Sequence, residues 1–447
     1  MATIPQMEMD FWKNIDREDD LQRLRYVIDN LDDGFLMELL EKRRGRGRNE
    51  YPVRVMWNCV LAIIVFQHQS VSGFIREMRR NIGLREAVGC DMYRGKDAVP
   101  GEHVFSRFFK LLRDFSCEVD NIFHSLVEKM FKHRGDFGKV LSVDSKAVRS
   151  FARRNSRNRK VDGRCEKDAD LGVKVYETRK KNGEIVRVEK KWFGFKAHII
   201  VDAVYELPLW YEVTRASAND SPMLKKMLKG VEEKHSDILN RCEYLTGDRG
   251  YDSMMNNSLL FDKYGITPVL DIRDMWKDGD KTRLLDPDRT GNVVYNYRGD
   301  VMCVCPVTGE MRPMCYCGYE KDRGTIKYRC PATAYGMECK GVKQCSGESR
   351  YGRIVRVPID RDRRLFVPLP RSSYKWERIY RKRTSSERLN SRLDVSFSFE
   401  NHKIRGIKKM RTMVGLTMIV MLSMAIGSIK EGRGEHIRSL VCPLRAA

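Results

Sequence analysis

The sequence predicts a mixed α/β protein, with an all-helical N-terminal domain, an α/β core and a cysteine-rich insertion before the last helices of that core. Apolar residues recur at helical spacing up to about residue 135, whereas short apolar runs typical of buried strands begin at Lys139. Seven of the 13 cysteines fall between residues 272 and 373, where the α/β pattern stops. At 447 residues and 42% hydrophobic content, the chain is large enough for two or three domains.

The N-terminal domain, residues 1–135, has the pattern of several short helices. Ser70 and Ser72 are typical of a cap before the helix Gly73–Arg80. Six cations predicted to lie exposed on these helices suit a helix-turn-helix-like DNA-binding unit: Arg76, Arg79, Arg80, Arg85, Arg107 and Lys110. A helical dimerisation or packing domain has the same pattern, so the sequence leaves both interpretations open.

The core is predicted to begin with a strand at Lys139–Asp144, and a basic loop follows over residues 146–190. An antiparallel strand pair, a helix, a strand, a helix and a strand come next: Trp192–Val204, Leu207–Thr214, Asn219–Lys234, Arg241–Thr246, Ser253–Tyr264 and Gly265–Asp271. This order of elements is that of an RNase H-like core. Its first part is assigned to residues 136–271, its C-terminal helices to 374–430 and a polar tail to 431–447.

The formal net charge of +23 is concentrated in two stretches. Residues 146–196 hold 17 Lys/Arg against 7 Asp/Glu, and residues 371–411 hold 13 against 4. This concentration indicates a basic surface, for which DNA phosphates are the favoured partner; an anionic membrane or simple solubility are the alternatives. Within the first stretch, the predicted DNA contacts are Arg153, Arg154, Arg157 and Arg159.

Cysteine usage and the N-terminal sequence predict a cytoplasmic, nucleoid-associated protein. The first ten residues lack the basic and apolar regions of a signal peptide, and many cysteines without such a signal indicate a reducing compartment. The run Met413–Ile429 has no charged residue, but its length is at the lower limit for a membrane span. We therefore expect a buried terminal helix and no membrane partner.

Two aspartates that follow predicted strands are candidates for a catalytic site. Asp144 ends the first strand, and Asp248 follows a later strand between two glycines that allow a tight turn. Each also has a simple explanation as a turn-forming residue. A third carboxylate, Glu387, is predicted to share one helix face with Tyr380 and Arg383, although a carboxylate beside an arginine is commonly a surface ion pair.

Together these residues resemble the motifs of the DDE transposases of bacterial insertion sequences, in the cut-and-paste group. Tyr380, Arg383 and Glu387 match the family signature Tyr-x2-Arg-x3-Glu-x6-Lys. The closing Lys is replaced by Asp394, and the nearest basic residue is Arg392. The resemblance spans about residues 50–430. Three further motifs match and occur in the family's order: Gly194-Phe-Lys-Ala-His198, Asn219-Asp-Ser221 and Asp248-Arg-Gly-Tyr-Asp252.

The resemblance implies an enzyme that binds the terminal inverted repeats of its element as a homodimer on double-stranded DNA, cleaves beside them and joins the 3′ ends to target DNA. Two Mg²⁺ (or Mn²⁺) ions would assist, because hard cations prefer carboxylate oxygens. Asp144 would bridge the ions, Asp248 would bind one of them and Glu387 the other. Tyr380 and Arg383 would contact the terminal phosphates.

Two further residues of these motifs are given supporting roles. His198 is expected to face the site from a strand without binding metal. Asp252 is expected to cap the helix that follows Asp248.

The density of cysteines in the insertion argues for a structural Zn²⁺ site. Its ligands would be a subset of Cys303, Cys305, Cys315, Cys317, Cys330, Cys339 and Cys345. The spacing is Cys-x-Cys where Cys-x2-Cys is commoner, and unligated thiols in a loosely folded insertion are the alternative. The sequence does not select the four ligands.

Two rival functions stay open from the sequence. One is a metal-dependent nuclease of the same fold without strand transfer. The other is a catalytically inactive, domesticated DNA-binding regulator, which the missing Lys after Glu387 keeps open and which the three carboxylates argue against.

Overall fold

The protein is described here by a computed structural model, which covers residues 19–46, 49–155, 165–179, 185–286 and 291–439. The chain divides into two compact units. Unit 1 comprises Met1–Phe137, Ser145–Ala218 and Ser386–Ala447, and unit 2 comprises Gly138–Asp144 and Asn219–Ser385. The strand Val140–Arg149 and the helix Thr384–Ser391 each run across a boundary between the two units, so each contributes residues to both.

The helices of unit 1 confirm the predicted helical N-terminal region. Ser70 caps its helix as predicted, since its Oγ accepts a hydrogen bond from the Gly73 N–H at 3.2 Å. The helices are α1 (Asp19–Asn30), α2 (Gly34–Arg44), α3 (Val53–Val65), α4 (Val71–Arg80), α5 (Ile82–Val88), α6 (Glu102–Asp114) and α7 (Ser116–His133).

The strands of unit 1 correct the predicted basic loop over residues 146–190. Strand β1 (Val140–Arg149) extends into this stretch, which also holds β2 (Asp170–Arg179) and the first half of β3 (Ile185–Asp202). Valines alternate with charged residues in β2 and at the start of β3, and this period of two is typical of strands. The two strands pair as an antiparallel ribbon that carries charged side chains. The second half of β3 pairs with β4 (Leu207–Arg215), so the order within unit 1 is β2-β3-β1 with β4 beside β3.

Most of unit 1 packs around a long apolar helix near the C-terminus. This helix is α14 (Ile407–Lys430). The helices between α7 and α14 in chain order, most of them in unit 2, are α8 (Asp220–Arg241), α9 (Met254–Ser258), α10 (Pro331–Tyr335), α11 (Val342–Ser346), α12 (Tyr374–Tyr380) and α13 (Thr384–Ser391). By length and composition α14 could cross a membrane, but 83% of its most apolar window is buried inside the protein. It packs against α1, α7 and β4, as a core helix does.

A glycine allows α14 to approach β4 closely. A Cβ atom at Gly415 would lie 2.3 Å from the Tyr211 hydroxyl oxygen, too near for any side chain. The same hydroxyl donates a hydrogen bond to Asp120 on α7, and burial raises the pKa of Tyr211 well above its ordinary value. The helix, the strand and α7 are thus joined at one buried point.

Unit 2 is built on three parallel strands. The first half of β1 pairs with β5 (Tyr244–Gly247), and β5 pairs with β6 (Thr267–Leu270). Parallel strands need crossover connections, which α8 and α9 with its π-helical continuation Leu259–Lys263 provide. The predicted elements between residues 219 and 271 are therefore present, with α8 longer than expected.

The cysteine-rich segment of unit 2 forms two small antiparallel sheets. One has the order β10-β9-β8-β7 and the other the order β11-β12-β13. Both contribute to one apolar cluster, which includes Val293, Val301, Ile326, Tyr328 and Val357. The strands are β7 (Arg283–Leu284), β8 (Val293–Tyr295), β9 (Val301–Val304), β10 (Met311–Pro313), β11 (Cys315–Glu320), β12 (Thr325–Arg329) and β13 (Ile354–Pro358).

One arginine of the second basic stretch is structural and does not belong to a DNA-binding surface. Arg371 is only 4% exposed, and its guanidinium donates hydrogen bonds to the backbone carbonyls of Leu270, Arg298, Leu365 and Arg364 at 3.0–3.3 Å. Burial lowers the pKa of Arg371 to about 10. This side chain joins the end of β6 to the loops that flank the small sheets.

We expect Arg371→Met to lower the free energy of unfolding by at least about 2 kcal/mol, because it leaves several buried carbonyls without a donor. Arg378→Met is the matched control, since Arg378 is exposed on α12 and should change stability by less than about 0.5 kcal/mol. Chemical denaturation followed by tryptophan fluorescence measures both. Equal midpoints for the two variants would contradict the structural role of Arg371.

Candidate functional site

Two aspartates lie side by side at the carboxyl end of the parallel strands of unit 2. Val143 of β1 is in register with Gly247 of β5, so Asp144 and Asp248 follow at adjacent positions. Neighbouring strands are about 4.8 Å apart, which puts these two half-buried residues within reach of a common ligand. The structure therefore brings together the two aspartates that the sequence singled out.

The turn after β5 is built by glycines. A Cβ at Gly247 would lie 2.9 Å from Leu270 and 3.0 Å from Val143, so only glycine lets β5 pass between its neighbours. The Gly250 N–H donates to Asp248 Oδ1 at 2.8 Å, and a Cβ at Gly250 would lie 2.7 Å from the same oxygen. This turn fixes the direction of the Asp248 carboxylate.

Two further carboxylates lie at this edge, and the sequence reasoning did not assign them to the site. Asp271 directly follows β6, and its carboxylate accepts hydrogen bonds from Arg249 Nε at 3.1 Å and from the Ile272 N–H at 2.9 Å. Asp220 begins α8, and its Oδ2 would lie 3.4 Å from a Cβ at Gly250. The signal available for Asp271 was its position at the end of a third parallel strand.

Tyr380 and Arg383 lie beside these carboxylates in unit 2. Burial raises the pKa of Tyr380, the carboxylates of Asp271 and Asp248 raise it further, and Arg383 opposes them. The Arg383 guanidinium carbon is 5.7 Å from the centre of the Tyr380 ring, and the Arg383 carbonyl accepts a hydrogen bond from Ser142 Oγ at 3.4 Å. The Tyr380 phenol thus lies near the carboxylates of Asp271 and Asp248 and near the Arg383 guanidinium.

The third predicted carboxylate, Glu387, lies in the first turn of α13. The single helix face predicted for it is interrupted, because a 3₁₀ turn over Arg381–Arg383 separates α12 from α13. Within unit 1, Lys146 of β1 forms an ion pair with Asp394, the residue in the place of the signature's Lys. The Lys146 side chain is 9% exposed. The aspartate that replaces the signature's Lys is therefore paired with a buried cation.

Comparison with protein families shows where the chain belongs. Residues 138–422 match the family described as transposase DDE domain, and residues 10–111 match the transposase domain DUF772. The chain belongs to the DDE transposases. Both matches are typical of bacterial insertion-sequence transposases, which act on DNA, and members of this family use a divalent metal such as Mg²⁺.

Comparison with individual proteins gives less information about the chain than the two family matches. No curated protein matches this transposase. Among solved structures it is similar to a piggyBac transposase synaptic complex with hairpin DNA, at 12% sequence identity and a TM-score of 0.29. The match covers 96% of this chain and 86% of the other.

The donor atoms at the strand ends of the transposase suit a hard divalent cation. Asp144 and Asp248 offer carboxylate oxygens at adjacent positions, and such cations prefer oxygen ligands. Asp271 is instead held by Arg249 and a backbone N–H. In the part of the chain that the structure describes, no three His, Cys, Asp or Glu side chains already surround one metal position.

The Gly194-x-Lys-x-His198 motif of the transposase has structural contacts in unit 1. A Cβ at Gly194 would lie 2.1 Å from the Val148 carbonyl, so this glycine allows β3 to approach β1. Lys196 Nζ donates to the Ala218 carbonyl at 2.7 Å. His198 is fully buried on β3, and its Nε2 lies 2.9 Å from Thr214 Oγ1.

One motif residue, Asp252, differs from its predicted role. Asp252 does not cap the following helix, because Ser253 accepts the capping hydrogen bond from the Asn256 N–H at 3.1 Å. The Asp252 carboxylate is buried and forms an ion pair with Arg364 at 2.7 Å. A serine directly before the helix competes better for the cap, since its short side chain suits that position.

One predicted surface cation, Arg85, is buried, and it donates to the Met78 and Arg79 carbonyls at the end of α4. The other predicted helix cations are exposed: Arg76, Arg79, Arg80, Arg107 and Lys110. Arg153 and Arg154 are also exposed, whereas Arg157 and Arg159 lie outside the described residues.

Gly250→Ala tests the turn that directs Asp248. The added methyl group would displace the carboxylate, and a misplacement of about 1 Å at a catalytic group costs up to about a hundredfold in rate. We expect DNA cleavage to fall at least tenfold with little change in melting temperature. Gly291→Ala is the control, because nothing lies within 4 Å of a Cβ there; similar rates for both variants would exclude this role of the turn.

Proposed function

We propose that this transposase binds the terminal inverted repeats of its insertion sequence, cleaves the DNA beside them and joins the 3′ ends to target DNA. The observation that carries the proposal is the register of β1 and β5, which places Asp144 beside Asp248 within a stretch that matches the transposase DDE domain. The strand orders β2-β3-β1 and β1-β5-β6, with β4 beside β3, support an RNase H-like core.

Asp144, Asp248 and Glu387 are the proposed ligands of two Mg²⁺ ions. Asp144 would bridge them, Asp248 would serve one and Glu387 the other. When bound, such a pair of ions stabilises charge on the attacking and leaving oxygens of a phosphodiester. The Gly250 N–H holds one oxygen of Asp248 and so orients the carboxylate before a metal binds.

Tyr380 and Arg383 are the proposed phosphate contacts at the DNA end. The guanidinium offers a planar fork of N–H donors, and the phenol offers a hydroxyl whose raised pKa keeps it protonated as a donor. Because Arg383 carries no metal, Arg383→Ala should weaken end binding and lower the cleavage rate only in part.

The proposed DNA-binding surfaces are the exposed cations of the N-terminal helices and of the basic stretch 146–196, where Arg153 and Arg154 are exposed before β2. Non-specific affinity of this kind comes from neutralising phosphates. The transposase would act as a homodimer on double-stranded DNA in the cytoplasm, associated with the nucleoid.

Replacing any one of Asp144, Asp248 and Glu387 by Ala should abolish cleavage of labelled end DNA in Mg²⁺ while gel-shift binding survives. Loss of a ligand should cost at least about a hundredfold in rate. Asp237→Ala is the control, since Asp237 is exposed on α8. Parent-like cleavage by Glu387→Ala would show the third carboxylate to be misassigned, with Glu377 and Glu400 the next candidates. Parent protein that binds ends but never cleaves would favour the inactive regulator.

Neutralising Arg153, Arg154, Arg157 and Arg159 together should weaken binding to every DNA sequence. The slope of log affinity against log salt should fall by roughly one for each phosphate that the variant no longer neutralises. The double variant Lys229→Ala, Lys234→Ala on exposed positions of α8 is the charge control. An unchanged slope in the arginine variant would mean that these side chains face solvent and not DNA.

A further inference from the structure

Five of the seven cysteines between residues 272 and 373 converge on one small cavity of about 20 Å³ within unit 2. They come from three parts of the segment: β9 and the turn after it, the residue before α10, and the stretch from Cys339 into α11. The five are Cys303, Cys305, Cys330, Cys339 and Cys345. Cys315 and Cys317 on β11 do not line this cavity, so the fold separates the seven into two groups.

Two of the sulfur atoms already have the spacing of metal ligands. Cys305 Sγ and Cys339 Sγ are 3.8 Å apart, and both cysteines are free. A disulfide would bring the sulfurs to about 2.05 Å. Four sulfurs arranged tetrahedrally at about 2.3 Å from a zinc ion are about 3.8 Å from one another. The observed distance is therefore that of one edge of a tetrahedral thiolate site.

Three of the sulfurs also receive hydrogen bonds, as metal-binding thiolates do. Cys305 Sγ accepts from the backbone N–H groups of Val307 and Thr308 and from the Thr308 hydroxyl. Cys339 Sγ accepts from the Gly341 N–H. Cys345 Sγ accepts from Asn292 Nδ2 at 3.1 Å.

The turns around Cys305 and Cys339 are fitted to each other. A Cβ at Gly341 would lie 2.6 Å from Pro306 Cδ and 3.0 Å from Cys305 Sγ, so only glycine allows the second turn to approach the first. This close approach brings the two sulfurs together. This construction is expected of a binding site rather than of unligated thiols.

We propose that Cys305, Cys330, Cys339 and Cys345 bind one structural Zn²⁺ ion in this cavity. Cys330 is buried there and completes the set, whereas Cys303 packs against the apolar cluster of the two small sheets. The side chains of Cys330 and Cys345 turn toward the Cys305–Cys339 pair when the ion binds. Each thiol releases its proton to solvent as it becomes a ligand.

The size and charge of the cavity favour a single thiophilic ion. A volume of about 20 Å³ holds roughly one water-sized group and leaves no room for an iron–sulfur cluster. Arg312, Arg353 and Glu310 line the same cavity, and Glu310 forms an ion pair with Arg312 at 2.6 Å. The charged side chains of the lining therefore carry a net charge of +1, which favours the net negative charge of a four-thiolate centre. No acidic oxygen is needed, which distinguishes this site from the Mg²⁺ site proposed at the strand ends.

The ion would connect the two small sheets. Cys305 follows β9 of the first sheet, Cys330 follows β12 of the second, and Cys339 and Cys345 lie in the connection to β13. Without metal, these connections depend on the short helices α10 and α11 and on the turns alone. Local opening of residues 303–347 is therefore expected before the rest of unit 2 unfolds.

The test uses the full chain purified without chelator and assayed without DNA or Mg²⁺, so it does not depend on transposase activity. Elemental analysis should find about one zinc per chain in the parent and in Cys315→Ser and Cys317→Ser. Zinc should be lost in Cys305→Ser, Cys339→Ser, Cys345→Ser and Cys330→Ser, and retained in Cys303→Ser. Cobalt exchanged into the parent should give the intense visible bands of tetrahedral thiolate coordination.

The parent protein also gives a readout that does not depend on whether the variants fold. Removing zinc with a thiophilic chelator should expose four additional thiols to a thiol reagent and increase hydrogen exchange in residues 303–347. A metal-free parent, or unchanged thiol exposure after chelation, would overturn the site. Loss of zinc from Cys315→Ser or Cys303→Ser in place of Cys330→Ser would overturn the ligand set.

Discussion

The parallel pairing of β1 with β5 is the constraint on which the candidate site depends. It aligns Val143 with Gly247 and so fixes Asp144 and Asp248 at neighbouring positions. A shift of one residue would turn one of the two carboxylates to the opposite face of the sheet, since side chains alternate along a strand. Gly247 suits this register, because a Cβ there would lie 2.9 Å from the Leu270 side chain and 3.0 Å from the Val143 side chain, and both would have to shift.

Local sequence patterns were sufficient for much of the fold. The antiparallel pair predicted for Trp192–Val204 and Leu207–Thr214 and the apolar run before Asp144 identified strands that the structure contains, and Ser70 identified a helix cap. The two aspartates could be paired from the sequence because carboxyl ends of parallel strands share one edge. Membership of the DDE transposases, suggested by the motif set, is confirmed by the family matches.

The errors have a common physical origin, which is that burial is decided by tertiary contacts. Arg85 and Arg371 look like surface cations in the sequence, yet both are buried and hydrogen-bonded to carbonyls that are distant along the chain or at a helix end. The strand pair in the basic stretch was missed because its charged residues outweigh the valine alternation, and Val173 and Val175 of β2 are exposed rather than part of a core. Cysteine spacing, likewise, could not divide seven thiols into a group of five and a pair.

The position of α14 in the chain has a consequence for biosynthesis. Its packing partners α1, α7 and β4 are all made before it, so a partly synthesised chain carries apolar surfaces that only the last large helix covers. When α14 leaves the ribosome, those surfaces are ready to bury it at once, which limits the time during which so apolar a helix is open to aggregation or to capture by membrane-insertion machinery. Unit 1 thereby completes its core only after α14 has been translated.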